Sequence, residues 1–197
     1  MKYLSFELME QLKDAKQWWQ SLETQWKTAF SQAFLFKEKM LEMPKNQDLI
    51  DLWNTPLLRL AGPAAVDPVT EVELTNLSGI VALKDLTYLS ITNMQLTSLE
   101  TLSQHTKMEY LYVYDNQLTS LKGIENMLNL KELYCQNNQI TDLSSLQNLT
   151  QLETVYATNN ALTSLEGITL THEEKLRNFR VLPNEQLRHR EVIRVIC

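Results

Sequence analysis

Apolar residues recur along the middle of the chain with one fixed period. Three series return every 22 residues in the same phase. They are Leu77, Leu99, Leu121, Leu143 and Leu165; Leu74, Leu96, Leu118, Ile140 and Leu162; and Ile80, Leu102, Ile124, Leu146 and Ile168. A period of roughly 20 to 50 residues indicates a repeat architecture, in which each unit buries its apolar side against the next. The pattern predicts about five stacked turns.

Within each turn, a short stretch alternates between apolar and polar positions. Leu111 and Val113 flank Tyr112, for example. Side chains of a β-strand point alternately to opposite faces, so we expect the leucine and valine inside the stack and the tyrosine outside. Parallel strands are therefore predicted near Pro68, Ser90, Tyr112, Tyr134 and Tyr156.

One asparagine follows each of the last three predicted strands, at Asn116, Asn138 and Asn160. An amide that points into the stack can donate to and accept from backbone groups that would otherwise be buried without partners. Asn138→Ala is predicted to cost about 1 to 3 kcal/mol, whereas Asn137→Ala, on the outward side, is predicted to be nearly silent. Val72 and Met94 occupy the asparagine position in the first two turns, so we expect those turns to be less regular.

The N-terminal part follows a helical pattern instead. Its apolar series are Leu8, Leu12, Ala15 and Trp19, and then Leu22, Trp26, Phe30 and Ala33. They predict two helices, or one broken helix, with Ser21 as the N-cap of the second. A short third helix is predicted from about 48 to 54. Aromatic residues at helical spacing are typical of packing, so Trp18, Trp19, Trp26 and Trp53 are expected to seal the first repeat.

The chain is predicted to have three parts. An α-helical N-terminal cap is expected at residues 1–62 and the repeats at 63–170, because prolines and glycine at 56, 62, 63 and 68 mark the transition. A C-terminal cap is expected at 171–197, with a closing helix over 172–179 and a possible last strand over 192–196.

The unit Leu130-x-x-Leu133-x-Cys135-x-x-Asn138-x-Ile140 resembles the consensus of the leucine-rich-repeat family. The resemblance covers about residues 64–170. Its 22-residue length and the Leu-Thr-Ser-Leu step are similar to the bacterial internalin-type subclass, and the stretch from Trp18 to Phe30 looks like the helical prefix of some bacterial relatives. The resemblance implies an α/β fold: a right-handed leucine-rich-repeat solenoid of about five turns, with short parallel strands on its concave wall.

Charge and composition narrow the class of partner. The 197 residues carry a formal net charge of -6, and phosphate binding needs a concentrated basic face, so nucleic acid is not expected as a partner. A C-terminal group of arginines is expected to form a solvated cap face: Arg177, Arg180, Arg188, Arg190 and Arg194. No apolar run approaches the roughly 18 residues of a membrane span, so no membrane partner is expected.

The sequence also bears on location and assembly. The first residues show no secretory signal, and the two cysteines make no disulfide framework. We therefore expect a cytoplasmic monomer, with a secreted or cell-surface protein as the alternative.

The sequence lacks the usual carriers of enzymatic chemistry. It has no His-Glu-x-x-His, no phosphate-binding glycine loop and no Gly-x-Ser-x-Gly, so no catalytic residue, metal or cofactor is expected, and we do not expect an enzyme. His105 stands where other turns have leucine or methionine, and Cys135 stands where they have valine or alanine. Both are expected to be packing residues.

Six of the seven tyrosines fall on predicted outward strand positions. They are Tyr88, Tyr110, Tyr112, Tyr114, Tyr134 and Tyr156. Three of them share one repeat position and should form a column at the strand spacing of about 4.8 Å. Carboxylates such as Glu132 lie beside them. An exposed aromatic face with a polar rim is typical of a recognition surface, although tyrosines can also simply brace a sheet.

We therefore expect a non-catalytic interaction module that binds a protein or peptide on its concave, tyrosine-rich face, with these six tyrosines and Glu132 as the site. The alternative is an internalin-like surface or secreted adhesin that binds a host protein or a carbohydrate, since sugars stack on aromatic side chains.

Overall fold

The computed structural model describes residues 6–37 and 41–187. Three helices come first: α1 (Phe6–Ser21), α2 (Thr24–Ala33) and α3 (Asn46–Trp53). The strands are β1 (Leu57–Ala61), β2 (Tyr88–Thr92), β3 (Tyr110–Tyr112), β4 (Glu132–Tyr134), β5 (Thr154–Tyr156) and β6 (Asn178–Arg180), with the short helix α4 (Leu170–Glu173) before the last one. All six strands form one parallel sheet in chain order.

The 22-residue period sets the register of the central strands. Leu89 pairs with Leu111, Leu111 with Leu133, and Leu133 with Val155, and all four side chains are fully buried. Short 3-10 turns on the opposite side of the stack bury three members of the third apolar series, Ile80, Leu102 and Leu146. One continuous core therefore runs through the turns, which confirms the predicted α/β solenoid of stacked parallel strands.

The first strand lies before Pro68, so the strand predicted there is wrong. In β1, Leu58 and Leu60 point inward, and Leu60 pairs with Ile91, 31 residues later. Proline has no backbone N–H with which to join a ladder, and the segment around Pro68 instead forms part of a longer connection between β1 and β2. The first turn is therefore longer than 22 residues.

The C-terminal end also differs from the prediction. The closing helix expected over 172–179 is only the short α4, and Phe179 lies in β6, where it pairs with Val155 of β5. A sixth strand at this point covers backbone groups of β5 that a helix would have left without a ladder. The strand predicted over 192–196 lies outside the described residues.

The helical cap closes the first turn with aromatic packing. Trp18, Trp19 and Trp26 are buried together with Phe30, and the Trp26 and Phe30 ring centroids lie 5.1 Å apart. Trp18 Nε1 also donates to the Gly79 carbonyl at 3.0 Å, which ties the cap to the first repeat. These three tryptophans are therefore core residues, as expected, whereas Trp53 is only partly buried and packs against the core with its ring centroid 5.6 Å from that of Trp18.

The N-cap predicted at Ser21 is wrong. Ser21 is the last residue of α1, and its hydroxyl donates to the Trp18 carbonyl at 2.7 Å. The N-cap position of α2 is Glu23, whose carboxylate accepts from Asn76 and Ser78 of the first repeat. The pKa of Glu23 is lowered by a hydrogen bond from the Gln25 side chain and, to a smaller extent, by those from Ser78 and Asn76. The residue before α2 thus joins the cap to the solenoid.

The asparagine ladder, which we define as Asn116, Asn138 and Asn160, satisfies the backbone of the bends. The Asn138 side-chain Oδ1 accepts from the Leu118 N–H at 2.9 Å. Its Nδ2 donates to the carbonyls of Val113 and Cys135, both at 3.0 Å. Asn116 and Asn160 repeat this arrangement one turn before and one turn after. Each amide therefore binds backbone groups of two successive turns.

The ladder continues at both ends in ways that the sequence pattern did not predict. Asn184 accepts from the Leu162 N–H at 3.1 Å and donates to the Ala157 carbonyl at 2.9 Å, so it serves the last turn. At the other end, the Leu74 N–H lies 3.3 Å from the sulfur of Met94, which takes the acceptor position of the missing amide. Thioether sulfur is a weak acceptor and offers no donor, so the second turn is held less firmly here.

Asn137 is not the silent neighbour that its outward position predicted. Its backbone has a φ of 56°, in the left-handed region. The residues at the equivalent position of the other turns are also left-handed: Asn93, Asp115 and Asn159. A left-handed residue with a Cβ costs about 1 to 2 kcal/mol, and asparagine tolerates this conformation better than alanine. Asn137→Ala is therefore expected to destabilise the protein.

The first prediction concerns the ladder. Asn138→Ala should lower the free energy of unfolding by about 1 to 3 kcal/mol, because it leaves the buried groups of two turns without partners. Gln139→Ala is the matched control, since Gln139 is exposed and makes no side-chain hydrogen bond within the described part of the chain. Urea unfolding of the two variants measures the difference. Equal losses would show that the amide is not what holds the bends.

The second prediction concerns the contact between cap and solenoid. A Cβ added at Gly79 would lie 2.1 Å from Cδ2 of the buried Trp26, so Gly79→Ala should cost about 1 to 3 kcal/mol and shift the tryptophan emission. Thr101→Ala is the control, because Thr101 occupies the same repeat position one turn later and already carries a Cβ. An unchanged unfolding curve for Gly79→Ala would mean that the cap is not seated on the first turn as described.

Candidate functional site

The tyrosines predicted to face outward lie together on one side of the sheet. We define the tyrosine wall as Tyr88, Tyr110, Tyr112, Tyr114, Tyr134 and Tyr156, all of which are half-buried. Tyr112 pairs with Tyr134, and Tyr134 with Tyr156, while Tyr88 pairs with Tyr110 in the neighbouring row. The buried Leu111, Leu133 and Val155 alternate with them and anchor the strands. The wall is thus a consequence of the same register that forms the core.

Four of these rings form a continuous column. The ring centroids of Tyr112 and Tyr134 lie 4.8 Å apart with an interplanar angle of 21°, and those of Tyr134 and Tyr156 lie 4.6 Å apart. Tyr88 extends the column, with its centroid 5.2 Å from that of Tyr112. The predicted column at the strand spacing is confirmed. The rings of Tyr112 and Tyr134 face each other and present mainly their edges and hydroxyl groups to the solvent, whereas the Tyr156 ring is tilted by 52° from that of Tyr134.

Two arginines occupy the same register position at the ends of this column. Arg59 of β1 pairs with Ser90, which pairs with Tyr112, and Arg180 of β6 pairs with Tyr156. The Arg180 guanidinium lies 5.0 Å from the Tyr156 ring centroid, in cation–π contact. Sequence reasoning missed Arg59, because β1 was not predicted, and assigned Arg180 to a solvated face of the cap.

Glu132 is hydrogen-bonded within the wall. The Tyr112 hydroxyl donates to Glu132 Oε2 at 2.7 Å. Burial, followed by this bond, raises the pKa of Tyr112 well above its usual value. Burial also raises the pKa of Tyr88 and Tyr134. These three phenols are therefore neutral around neutral pH, and they can donate hydrogen bonds.

The other charged residues of the wall form pairs along the stack. Lys131 Nζ lies 2.6 Å from Glu109 Oε2, and Arg177 lies 4.0 Å from Glu153. Lys131 also lies 5.8 Å from the ring centroid of Tyr110. Exposed pairs like these add little stability, but they neutralise the carboxylates of the wall locally.

A row of left-handed residues borders the wall on its other side. Asn93 Nδ2 and Asn137 Nδ2 both donate to the Asp115 carboxylate, at 3.2 and 2.6 Å, and Asn159 Nδ2 donates to Asn137 Oδ1 at 2.8 Å. The carboxylate of Asp115 is thus held between two amides. The signal for this row was present in the sequence as Asn, Asp, Asn and Asn at 22-residue spacing.

His105 and Cys135, the two residues considered for chemistry, are both buried in the core. Burial lowers the pKa of His105, and its Nε2 lies 3.0 Å from the Ile80 carbonyl oxygen, as suits a neutral packing residue. Burial raises the pKa of the Cys135 thiol to about 12, so the thiolate nucleophile is not formed. Across residues 6–37 and 41–187, no group of three or more His, Cys, Asp or Glu side chains is arranged to hold a metal ion. In the same ranges, no helix combines the length and apolarity needed to cross a bilayer.

Comparison with known proteins agrees with the fold. The consensus of leucine-rich repeats matches residues 106–148 and 128–172 in two copies. The chain has the fold of a leucine-rich-repeat solenoid. Such solenoids generally serve as binding scaffolds, with the extended concave surface as the site. A search of curated proteins found no match.

Solved structures show the same fold. An internalin (InlF) from Listeria monocytogenes superposes with a TM-score of 0.68 over 87% of this chain and 46% of its own, at 21% identity. A Leptospira interrogans leucine-rich-repeat protein superposes with a TM-score of 0.60, at 22% identity. The match covers 99% of this chain and 45% of that protein. Internalin C2 from Listeria monocytogenes superposes with a TM-score of 0.51, at 23% identity. The match covers 58% of this chain and 48% of that protein. The repeats are thus internalin-like in fold, and the matched part spans less than half the length of each of these three proteins.

Proposed function

We propose that this protein is a non-catalytic interaction module that binds a protein or peptide on the tyrosine wall. The observation that carries the proposal is the state of the tyrosine hydroxyls. Within the described residues, the hydroxyls of Tyr88, Tyr110, Tyr114, Tyr134 and Tyr156 have no hydrogen-bond partner, and only that of Tyr112 is bonded. A half-buried aromatic surface with free donors offers both contact area and hydrogen bonds to a partner.

The ring column also makes the wall rigid before any partner arrives. The rings of Tyr112 and Tyr134 each lie between rings on both neighbouring strands. The strands are held from behind by buried leucines and the asparagine ladder. A rigid surface loses little side-chain entropy on binding, which improves affinity for a given contact area. Bracing and recognition are therefore compatible roles for the same rings.

The orientation of the rings favours a polypeptide over a carbohydrate. A sugar stacks on the open face of an aromatic ring, but the inner faces of Tyr112 and Tyr134 are turned towards each other at 4.8 Å. At the end of the column, the Tyr156 ring is approached by Arg180. The adhesin hypothesis has support only from the likeness in fold to the Listeria internalins, so the interaction module remains the better-supported function.

The third prediction separates recognition from bracing. The double variant Tyr112→Ala with Tyr134→Ala should lose partner binding, because central aromatic anchors cost about 2 kcal/mol or more each when truncated. Folding should persist, since the inward side chains and the ladder are unchanged. A pull-down from the source cell alongside a melting curve measures both properties.

The double variant Tyr112→Phe with Tyr134→Phe is the control, because it keeps the stacked rings and removes only the hydroxyls. It should be more stable than the alanine double variant, because among the described residues the change removes only the Tyr112–Glu132 hydrogen bond, and it should show reduced capture. If the alanine double variant is less stable yet recovers the same partners as the wild type, the tyrosines brace the sheet and the proposed site is wrong.

A further inference from the structure

An arginine lies at each end of the tyrosine wall. Arg59 and Arg180 are both exposed and share one register position across the sheet. Within residues 6–37 and 41–187, no carboxylate lies within salt-bridge distance of either guanidinium. Arg180 is nevertheless ordered, because its guanidinium packs over the Tyr156 ring at 5.0 Å. A guanidinium held in place in this way is preorganised for a carboxylate.

The carboxylates of the wall, in contrast to the two arginines, have hydrogen-bond or ion-pair partners. Glu109 has Lys131 at 2.6 Å, and Glu132 accepts from Tyr112 at 2.7 Å. Each oxygen of Asp115 accepts from one asparagine amide, and Glu153 lies 4.0 Å from Arg177. The groups of the wall without a partner among the described residues are therefore phenol hydroxyls and the guanidiniums at its two ends. Both kinds of group bind acceptors, although the chain as a whole carries a formal net charge of -6.

We propose that the partner is an acidic polypeptide segment that lies along the ring column and places a carboxylate on Arg59 and another on Arg180. This rests on the proposed function of the tyrosine wall. Five strand steps of about 4.8 Å separate the two arginines, which is roughly 24 Å. An extended chain covers that distance in about seven residues, at roughly 3.4 Å per residue. Glu132 lies between the two ends, so the middle of the segment carries no acidic side chain.

The fourth prediction uses a designed probe. It is a fluorescein-labelled peptide with a pair of glutamates at each end and six neutral residues between the pairs; its counterpart has glutamine at all four acidic positions. The acidic peptide should bind the wild-type protein in an anisotropy titration, at least tenfold more tightly than its counterpart. Arg59→Gln with Arg180→Gln should weaken this binding by tenfold or more, and added salt should weaken it in the wild type.

A matched control tests whether position matters or only charge. Lys107→Gln with Lys122→Gln removes the same two positive charges from exposed sites that are already paired, with Asp85 and Glu100. This variant should bind the acidic peptide like the wild type. Equal weakening in the two double variants would mean non-specific charge attraction and would overturn the proposal. So would absence of binding by the wild type, equal affinity for the glutamine peptide, or tighter binding of a labelled oligothymidylate of the same charge.

Failure of the acidic-segment proposal can be distinguished from failure of the tyrosine wall as the binding site. If the tyrosine double variant loses its cellular partner while the arginine double variant captures that partner like the wild type, the wall is the site but the acidic preference is wrong. If the tyrosine double variant keeps the partner as well, both proposals are wrong.

Discussion

Every turn of this solenoid must bury a bend of backbone, and the bend brings polar groups into an apolar core. The side-chain amide of one asparagine in a turn resolves this conflict, since it donates to carbonyls of its own turn and of the turn before, and accepts from an N–H of the preceding turn. An unpaired buried polar group costs about 1 to 3 kcal/mol, so the position of this amide is strongly constrained. Because the amide must bridge successive turns, it also fixes how far one turn is displaced from the next.

That constraint determines the shape of the outer surface. When turns stack at a constant displacement, a residue type that recurs at one repeat position forms a straight column across the sheet. Tyr112, Tyr134 and Tyr156 are such a column, and their rings stack at the spacing of the strands that carry them. The candidate binding surface and the core are therefore two faces of one register. The aromatic cap has a similar role at the N-terminal end of the stack, because Trp26 packs on Gly79 and closes the first turn.

Much of this could be predicted from the sequence because the repeats are regular. The period located the central strands, the inward leucines, the asparagine ladder and the outward tyrosines. The errors lie where the period fails: β1 is 31 residues from its partner in β2, and β6 follows β5 at a spacing of 24. Arg59 was missed for this reason, and with it the pair of cations that bracket the rings. The role of Asn137 was missed because a left-handed backbone is not visible in a pattern of polar and apolar residues.

The central claim is that the outward face of the sheet, and not the opposite side of the stack, meets the partner. Site-specific photo-crosslinking tests it directly, with a benzophenone side chain placed at Tyr134 in one protein and at Lys122 in another. Lys122 is exposed and lies in the connection between β3 and β4, where it pairs with Glu100. We expect a crosslinked partner from position 134 and none from position 122. The same partner crosslinked from 122 alone, with none from 134, would contradict the account.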